Sequence, residues 1–152
     1  MNNVYKQDQI YSISKATGLT KTDVKKVLDF YISRVRNKAL DGETVKFLNI
    51  CYLSSGNSRK YHETKSYIST EIGEQLKLSR ELVYRVLSEY ESIIIDDLLK
   101  KSYSYTIHGL LNISIVEYSK NNYKVRIRKS ESLANCNIRV LTLNFFKRKV
   151  EV

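Results

Sequence analysis

Apolar residues recur three and four positions apart between residues 20 and 40, which places them on one face of a helix. That face consists of Val24, Val27, Leu28, Tyr31, Val35 and Ala39. Thr20 precedes the pattern, and Asp23 lies three positions after Thr20, as in an N-terminal capping box. A shorter pattern predicts a helix over 6–17 that stops at Gly18. The first part of the chain is therefore predicted to be a helix pair.

A second helical pattern begins at Ser79, a good N-cap residue. Its apolar face consists of Leu82, Val83, Val86, Leu87, Tyr90, Ile94 and Leu98. A Ser69/Thr70 cap predicts a shorter helix over 70–77 before it. Because the run 93–95 is entirely isoleucine, the apolar face is wider here, and we expect this helix to be buried from two sides.

The two helix pairs match each other in sequence. Residues 13–50 align without a gap to the residues 59 positions later. The matched pairs are Ile13/Ile72, Leu19/Leu78, Thr20/Ser79, Val24/Val83, Val27/Val86, Leu28/Leu87, Tyr31/Tyr90 and Ser33/Ser92. A duplication predicts that both copies adopt one fold.

Elsewhere the apolar period changes to two, which is typical of strands. Residues 44–53 predict one or two short strands, and residues 54–66 are polar and unpatterned, as expected of a linker. Further strands are predicted over 103–108, 111–118, 123–129 and 138–146, with a hairpin turn over 119–122. The fold class predicted by these patterns is α+β.

The net charge is +10, and its distribution along the chain is uneven. Residues 118–152 carry nine Lys/Arg against two Asp/Glu, whereas residues 67–117 carry five against eight. In the strand over 123–129, Tyr123, Val125 and Ile127 point to one side, while Lys124, Arg126 and Arg128 point to the other. The candidate contacts to a nucleic acid or an acidic partner are Lys120, Tyr123, Lys124, Arg126, Arg128, Lys129, Lys147, Arg148 and Lys149. The alternative interpretation is a solvated basic surface without a ligand.

Several functional classes lack sequence support. Cys51 and Cys136 lack the close spacing of a zinc or redox motif, and His62 and His108 are isolated. No nucleophile–base motif or phosphate-binding glycine loop is present. We therefore expect a non-enzymatic protein without cofactor, metal or small-molecule substrate. With no apolar run long enough to span a bilayer and no signal-peptide pattern, we expect no membrane partner and an intracellular or virion location.

The order helix, Gly-Leu-Thr/Ser turn, long helix, Gly-Glu, hairpin resembles the HU/IHF family of bacterial DNA-bending proteins. The first copy carries it in ISKATGLTKTDVKKVLDFY and GETVKFLNICYL. The second copy carries it in ISTEIGEQLKLSRELVYRVLSEY and, with one inserted residue, in HGLLNI. The resemblance implies tandem HU/IHF-like repeats, each a helix pair followed by a β-hairpin or small antiparallel sheet, arranged as a pseudo-dimer.

We divide the chain accordingly into a first half over 1–53 without an arm, a linker over 54–66, and a second half over 67–152. The second half is expected to hold the full sheet and an arm over 117–131. The chain has no proline, whereas family members kink DNA with a proline near the arm tip, so only Tyr118 or Tyr123 could take that role. Whether the copies pair within one chain or between chains is left open by the sequence.

The resemblance implies two functions. Tailed phages, including the crAss-like group, carry HU/IHF-like genes near their virion genes, and the fold can form rings in the head–tail connector. Loss of the DNA-kinking parts favours such an assembly role, with self-association or portal and tail proteins as partners. The alternative is a sequence-independent architectural protein that binds double-stranded DNA in the host cytoplasm. A third possibility is an α+β regulator without a nucleic-acid role.

Overall fold

The computed structural model describes residues 5–54, 63–98, 104–107, 109–119, 122–133 and 137–140. The protein is α+β, with helices and two small antiparallel sheets. The helices are α1 (Gln7–Thr17), α2 (Lys21–Leu40), α3 (Lys65–Leu76) and α4 (Arg80–Asp96), with a 3-10 turn at Glu131–Leu133. The strands are β1 (Val45–Phe47), β2 (Cys51–Ser54), β3 (Ser104–Ile107), β4 (Leu111–Ser119), β5 (Asn122–Lys129) and β6 (Asn137–Val140).

Both long helices begin at the predicted N-caps. The Thr20 hydroxyl accepts a hydrogen bond from the Asp23 N–H at 3.1 Å, and the Ser79 hydroxyl accepts one from the Leu82 N–H at 3.2 Å. Each bond satisfies an amide that has no partner within its helix. The sequence therefore located the starts of α2 and α4 correctly.

The predicted start of α3 at a Ser69/Thr70 cap was wrong. Thr64 is the cap, because its hydroxyl accepts a hydrogen bond from the Tyr67 N–H at 3.1 Å. Ser69 is buried inside the helix, and the Thr70 hydroxyl bonds back within it to the Ser66 carbonyl. The extra turn buries Ile68 beside Ile72, which offsets the cost of ordering it.

The strands form two three-stranded sheets, in the orders β1-β2-β6 and β3-β4-β5. We expected one full sheet, in the second half of the chain, and this was wrong. Strand β6 returns from the C-terminal part of the chain and pairs with β2, with Leu53 opposite Ile138 and Cys51 opposite Val140. Strand β1 pairs with one edge of β2, and β6 pairs with the other. This pairing satisfies backbone N–H and C=O groups that would otherwise be exposed along an unpaired strand edge.

The two hairpin turns have the same length and share one hydrogen bond. Phe47 pairs with Cys51, and Ile107 pairs with Leu111, so three residues connect each strand pair. The carbonyl of Phe47 accepts a bond from the Ile50 N–H at 3.1 Å, and that of Ile107 accepts one from the Leu110 N–H at 3.0 Å. The hairpins therefore correspond at an offset of 60 residues, one more than the helices, as the predicted insertion requires.

The helix pairs of the two halves pack on each other within one chain. Both α1 and α3 contact both α2 and α4. The inner faces of both sheets join the same buried cluster, so one hydrophobic core serves all the described elements. Contacts between the halves include the Tyr105 hydroxyl, which donates to Gln9 Oε1 at 2.8 Å, and Arg85, which donates to the Ala16 carbonyl. In the described part of the chain, no helix combines the length and apolarity needed to cross a membrane.

Candidate polyanion-binding face

The β3-β4-β5 sheet has one apolar side and one polar side, because side chains alternate along each strand. Tyr105, Ile107, Leu111 and Ile113 are buried, and Ile127 packs against the same core. The intervening residues form the opposite side. We call this side the polar sheet face; its members are Ser104, Thr106, Asn112, Ser114, Arg126 and Arg128.

Arg126 and Arg128 provide the charge of the polar sheet face. Both are exposed, while Ile127 between them is half-buried, so the alternation predicted for this strand is confirmed at these positions. Arg126 lies opposite Ser114 and Arg128 lies opposite Asn112. Alternate strand residues lie about 7 Å apart, so the two guanidinium groups can contact separate anionic groups.

Hydrogen bonds across the polar sheet face hold its uncharged members in place. The Asn112 side-chain amide donates to Thr106 Oγ1 at 2.8 Å and to Ser104 Oγ at 3.2 Å. These bonds link β4 to β3, while β5 supplies the arginines on the other side of β4. The two arginines therefore project from a sheet whose polar groups bond to one another.

A further cation lies at the β3–β4 turn, at the end of the sheet. The carbonyl of Gly109 accepts hydrogen bonds from Arg36 Nη1 at 3.4 Å and from the Ser130 hydroxyl at 3.1 Å. Arg36 on α2 therefore lies beside the end of β5, where Lys129 is exposed opposite Leu111. No sequence pattern pointed to Arg36, because it is 73 residues from the carbonyl that it contacts.

The first sheet also has a lysine on its outer side, at Lys46. Lys46, Tyr52 and Arg139 are register partners across β1, β2 and β6. Val45, Phe47 and Leu53 alternate with them and are buried, so Lys46 and Tyr52 lie on the outer side. Strands β5 and β6 contact each other, which brings the edges of the two sheets together. Sequence reasoning missed Lys46 and Arg139, since their register was not available from the pattern.

The remaining predicted contacts are placed as follows. Tyr123 and Lys124 lie on β5, opposite Tyr118 and Glu117 at the end of the β4–β5 hairpin. Ser114 is the last residue of β4 that pairs with β3. Beyond it, β4 pairs only with β5, and this is the region where we predicted an arm. Outside the described residues lie Lys120, Lys147, Arg148 and Lys149, together with Cys136, His62 and His108.

Four buried titratable groups of the described residues have raised pKa values. Burial raises the pKa of the Cys51 thiol to about 12, so it stays protonated at neutral pH. Burial also raises the pKa of Tyr105 to about 12, and the pKa values of Tyr31 and Tyr90 are raised by the same cause. Among the residues that the structure describes, no three His, Cys, Asp or Glu side chains are grouped to hold a metal ion.

Comparison with known proteins found no matching family model, no matching curated protein and no matching solved structure.

Proposed function

We propose that this chain is a non-enzymatic structural protein with an HU/IHF-like pseudo-dimer fold that helps to assemble a phage particle, as a ring component between portal and tail. The observation that supports this is a contrast between the two copies. Several of their core residues are shared, whereas exposed residues on their short helices differ in size and charge.

The shared positions lie in the core. Val24 and Val83, and likewise Tyr31 and Tyr90, occupy equivalent positions and are all buried. Burial constrains side-chain size and shape, so both copies keep the same residues there. These positions preserve the fold and carry no information about partners.

The diverged positions lie on the surface. Tyr11 on α1 corresponds to Thr70 on α3, and Lys15 corresponds to Glu74; all four are exposed. A protein that bends DNA symmetrically needs the same contacts from both halves. A protein built into a ring needs two different complementary surfaces, because ring contacts are heterologous. The divergence therefore supports assembly over symmetric DNA bending.

The test is the size of the purified protein, alone and mixed with portal and tail proteins from the same genome. We expect a discrete multimer, or a complex with a portal or tail ring, in sedimentation velocity and electron microscopy. An unrelated phage portal of similar size is the control. A small species that ignores these partners and binds duplex DNA tightly would contradict the proposal.

Sequence-independent DNA binding is the second candidate, and the polar sheet face supports it. Arg126 and Arg128 are both exposed on the polar sheet face. Phosphate contacts of this kind give an affinity that falls with salt and depends little on base sequence.

The matching experiment reverses Arg126 and Arg128 to Glu and measures duplex-DNA affinity over a salt series. If these two residues contact phosphates, the slope of log K against log salt decreases by about 2. The control reverses two exposed cations on the helices, Lys26 and Arg80. Equal losses in both variants would show that the sheet is not the specific binding surface.

A further inference from the structure

An exposed aromatic ring on α1 is flanked by lysines. Tyr11 is 51% exposed, and the ammonium groups of Lys15 and Lys21 lie 5.7 and 5.3 Å from its ring centroid. Lys25 is exposed one turn further along α2. We call Tyr11, Lys15, Lys21 and Lys25 the basic patch. Its ring and lysine stems offer apolar area, and its ammonium groups make it cationic.

The equivalent helix α3 presents an aromatic ring with the opposite charge around it. Tyr67 is 59% exposed, and Glu71 and Glu74 follow it four and seven positions later, on the same side of the helix. We call Tyr67, Glu71 and Glu74 the acidic patch. The Glu71 carboxylate also pairs with Arg34, which holds it against α2, whereas Glu74 is exposed.

The two patches lie on different helices. Helices α1 and α3 each pack on both long helices, and among the described elements they make no comparable contact with each other. Each molecule therefore offers a cationic surface at α1 and the start of α2 and a separate anionic surface on α3. Lys15 and Glu74 occupy equivalent positions in the two copies, so the charge is inverted at matching places.

We propose that the basic patch of one molecule docks on the acidic patch of the next, so that copies of this chain associate head to tail. A two-fold dimer through either patch would bring like charges together, whereas a head-to-tail contact pairs opposite charges. Tyr11 and Tyr67 supply the large aromatic surfaces that dominate protein interfaces. This inference rests on the proposed assembly function and identifies a second copy as the partner.

The experiment is a charge swap, read by sedimentation velocity over a range of protein concentrations at low salt. Lys15→Glu and Glu74→Lys are made separately and together, and circular dichroism verifies the fold of each variant. Each single variant should weaken self-association about tenfold, because it sets like charges against each other. The double variant should recover the wild-type constant, and so should an equimolar mixture of the two single variants. Lys26→Glu, outside the basic patch, is the control and should leave self-association unchanged.

Three results would overturn the inference, and they bear differently on the proposed function. If wild-type protein self-associates but neither single variant weakens it, or if the double variant stays as weak as the singles, the patches do not face each other and the assembly function stands. If wild-type protein remains monomeric but joins a portal or tail complex, the proposed self-association is wrong, whereas the proposed assembly function is supported. If it remains monomeric and joins neither complex, both proposals are wrong.

Discussion

The two copies form the same helix–turn–helix corner with different residues. In the first, α1 ends at Gly18 in the left-handed conformation at φ 80°, and its N–H bonds to the Ser14 carbonyl at 2.8 Å. In the second, Lys77 occupies the equivalent position and adopts φ 57°. The glycine of the second corner lies at Gly73, which is equivalent to Ser14.

Each corner is closed by a contact that suits its own residues. The Ser14 hydroxyl donates to the Leu19 carbonyl. In the second corner, the Leu78 carbonyl lies so close that a Cβ on Gly73 would be 2.6 Å from its oxygen. The Ser14 side chain thus helps to close the first corner, whereas a side chain at the equivalent position, Gly73, would clash in the second. The comparison teaches that the left-handed position was retained, while the glycine moved from that position to the one where the backbone of the corner approaches most closely.

The buried tyrosines of the two halves also differ in what their hydroxyls do. Tyr31 accepts a hydrogen bond from the Leu48 N–H at 2.7 Å and so fixes the β1–β2 turn, where Leu48 has φ 48°. The Tyr90 hydroxyl instead donates a hydrogen bond to the Tyr105 hydroxyl, and the two rings pack edge-on with centroids 6.3 Å apart. Tyr31 therefore stabilises its own half, whereas Tyr90 contacts a residue that reaches Gln9 of the other half.

Arg34 and Ile93 occupy equivalent positions on the two long helices. Arg34 is buried and pairs with Glu71 and with Glu63, the latter at 2.6 Å. Lys38 also lies 3.4 Å from Glu63. The first half thus uses a charged network to attach the start of α3, at a position where the second half has an apolar side chain.

The largest loss of stability is expected when Arg34 is replaced by isoleucine, the residue at the equivalent position of the second copy. Arg34→Ile leaves the carboxylates of Glu63 and Glu71 without the guanidinium, so we expect the free energy of unfolding to fall by about 3 kcal/mol at neutral pH. Urea denaturation measures it. The matched control is Ile93→Val, which should cost about 1 kcal/mol.

The stability deficit of Arg34→Ile, relative to the wild type, should disappear in acid. Burial alone would raise the pKa of Glu63, but the hydrogen bonds and charges of Arg34 and Lys38 outweigh it and lower the pKa below its ordinary value. The stability gained from this carboxylate is therefore complete above the ordinary glutamate range and is lost as the pH falls through the folded-state pKa. A deficit in Arg34→Ile that stays constant from neutral pH into acid would contradict this account.

Gly73→Ser converts the second corner toward the first and should cost about 2 kcal/mol, because the new Cβ meets a backbone oxygen that cannot move independently. Thermal unfolding followed by circular dichroism measures the change. Ser14→Gly is the reciprocal control. It removes one hydrogen bond and adds chain flexibility, so it should cost only about 1 kcal/mol. Equal costs at both positions would show that the corners do not differ as the structure indicates.

Tyr31→Phe and Tyr90→Phe compare the two buried hydroxyls. Removing the Tyr31 hydroxyl leaves the buried Leu48 N–H without its acceptor, so we expect a loss of about 1.5 kcal/mol. Tyr90→Phe removes the bond to the Tyr105 hydroxyl but leaves no N–H without an acceptor, and Tyr105 keeps its bond to Gln9, so the loss should be smaller, about 1 kcal/mol. Hydrogen exchange of the Leu48 amide should accelerate in the first variant and stay unchanged in the second.

The smallest expected change in the free energy of unfolding is an increase. Lys77→Gly relieves a left-handed conformation that disfavours side chains, so the protein should gain about 0.5 kcal/mol, as measured in urea. Gly18→Lys, the reverse substitution in the first corner, should lose a similar amount. If Lys77→Gly destabilises the protein instead, the lysine side chain makes a contact that outweighs its backbone strain.

The sequence predicted the helices and most strands, because their signals are local. The caps Thr20 and Ser79 lie beside the apolar faces that they precede, and the alternation around Ile127 shows which residues of β5 face outward. The start of α3 was missed because Ser69 and Thr70 have the composition of a cap but lie inside the helix. Choosing Thr64 required knowledge of the contacts that bury Ile68.

What the sequence by itself determined is the repeated helix pair, the α+β class and the basic strand. These depend on periodicity, on capping residues and on charge within a few positions. The tertiary structure alone decided that β6 completes the first sheet, that Arg36 reaches Gly109, and that Arg34 joins α2 to α3. Those contacts join residues far apart in the chain. Their partners are selected by which edges and charges remain unsatisfied after the local elements have packed, and no local pattern encodes that choice.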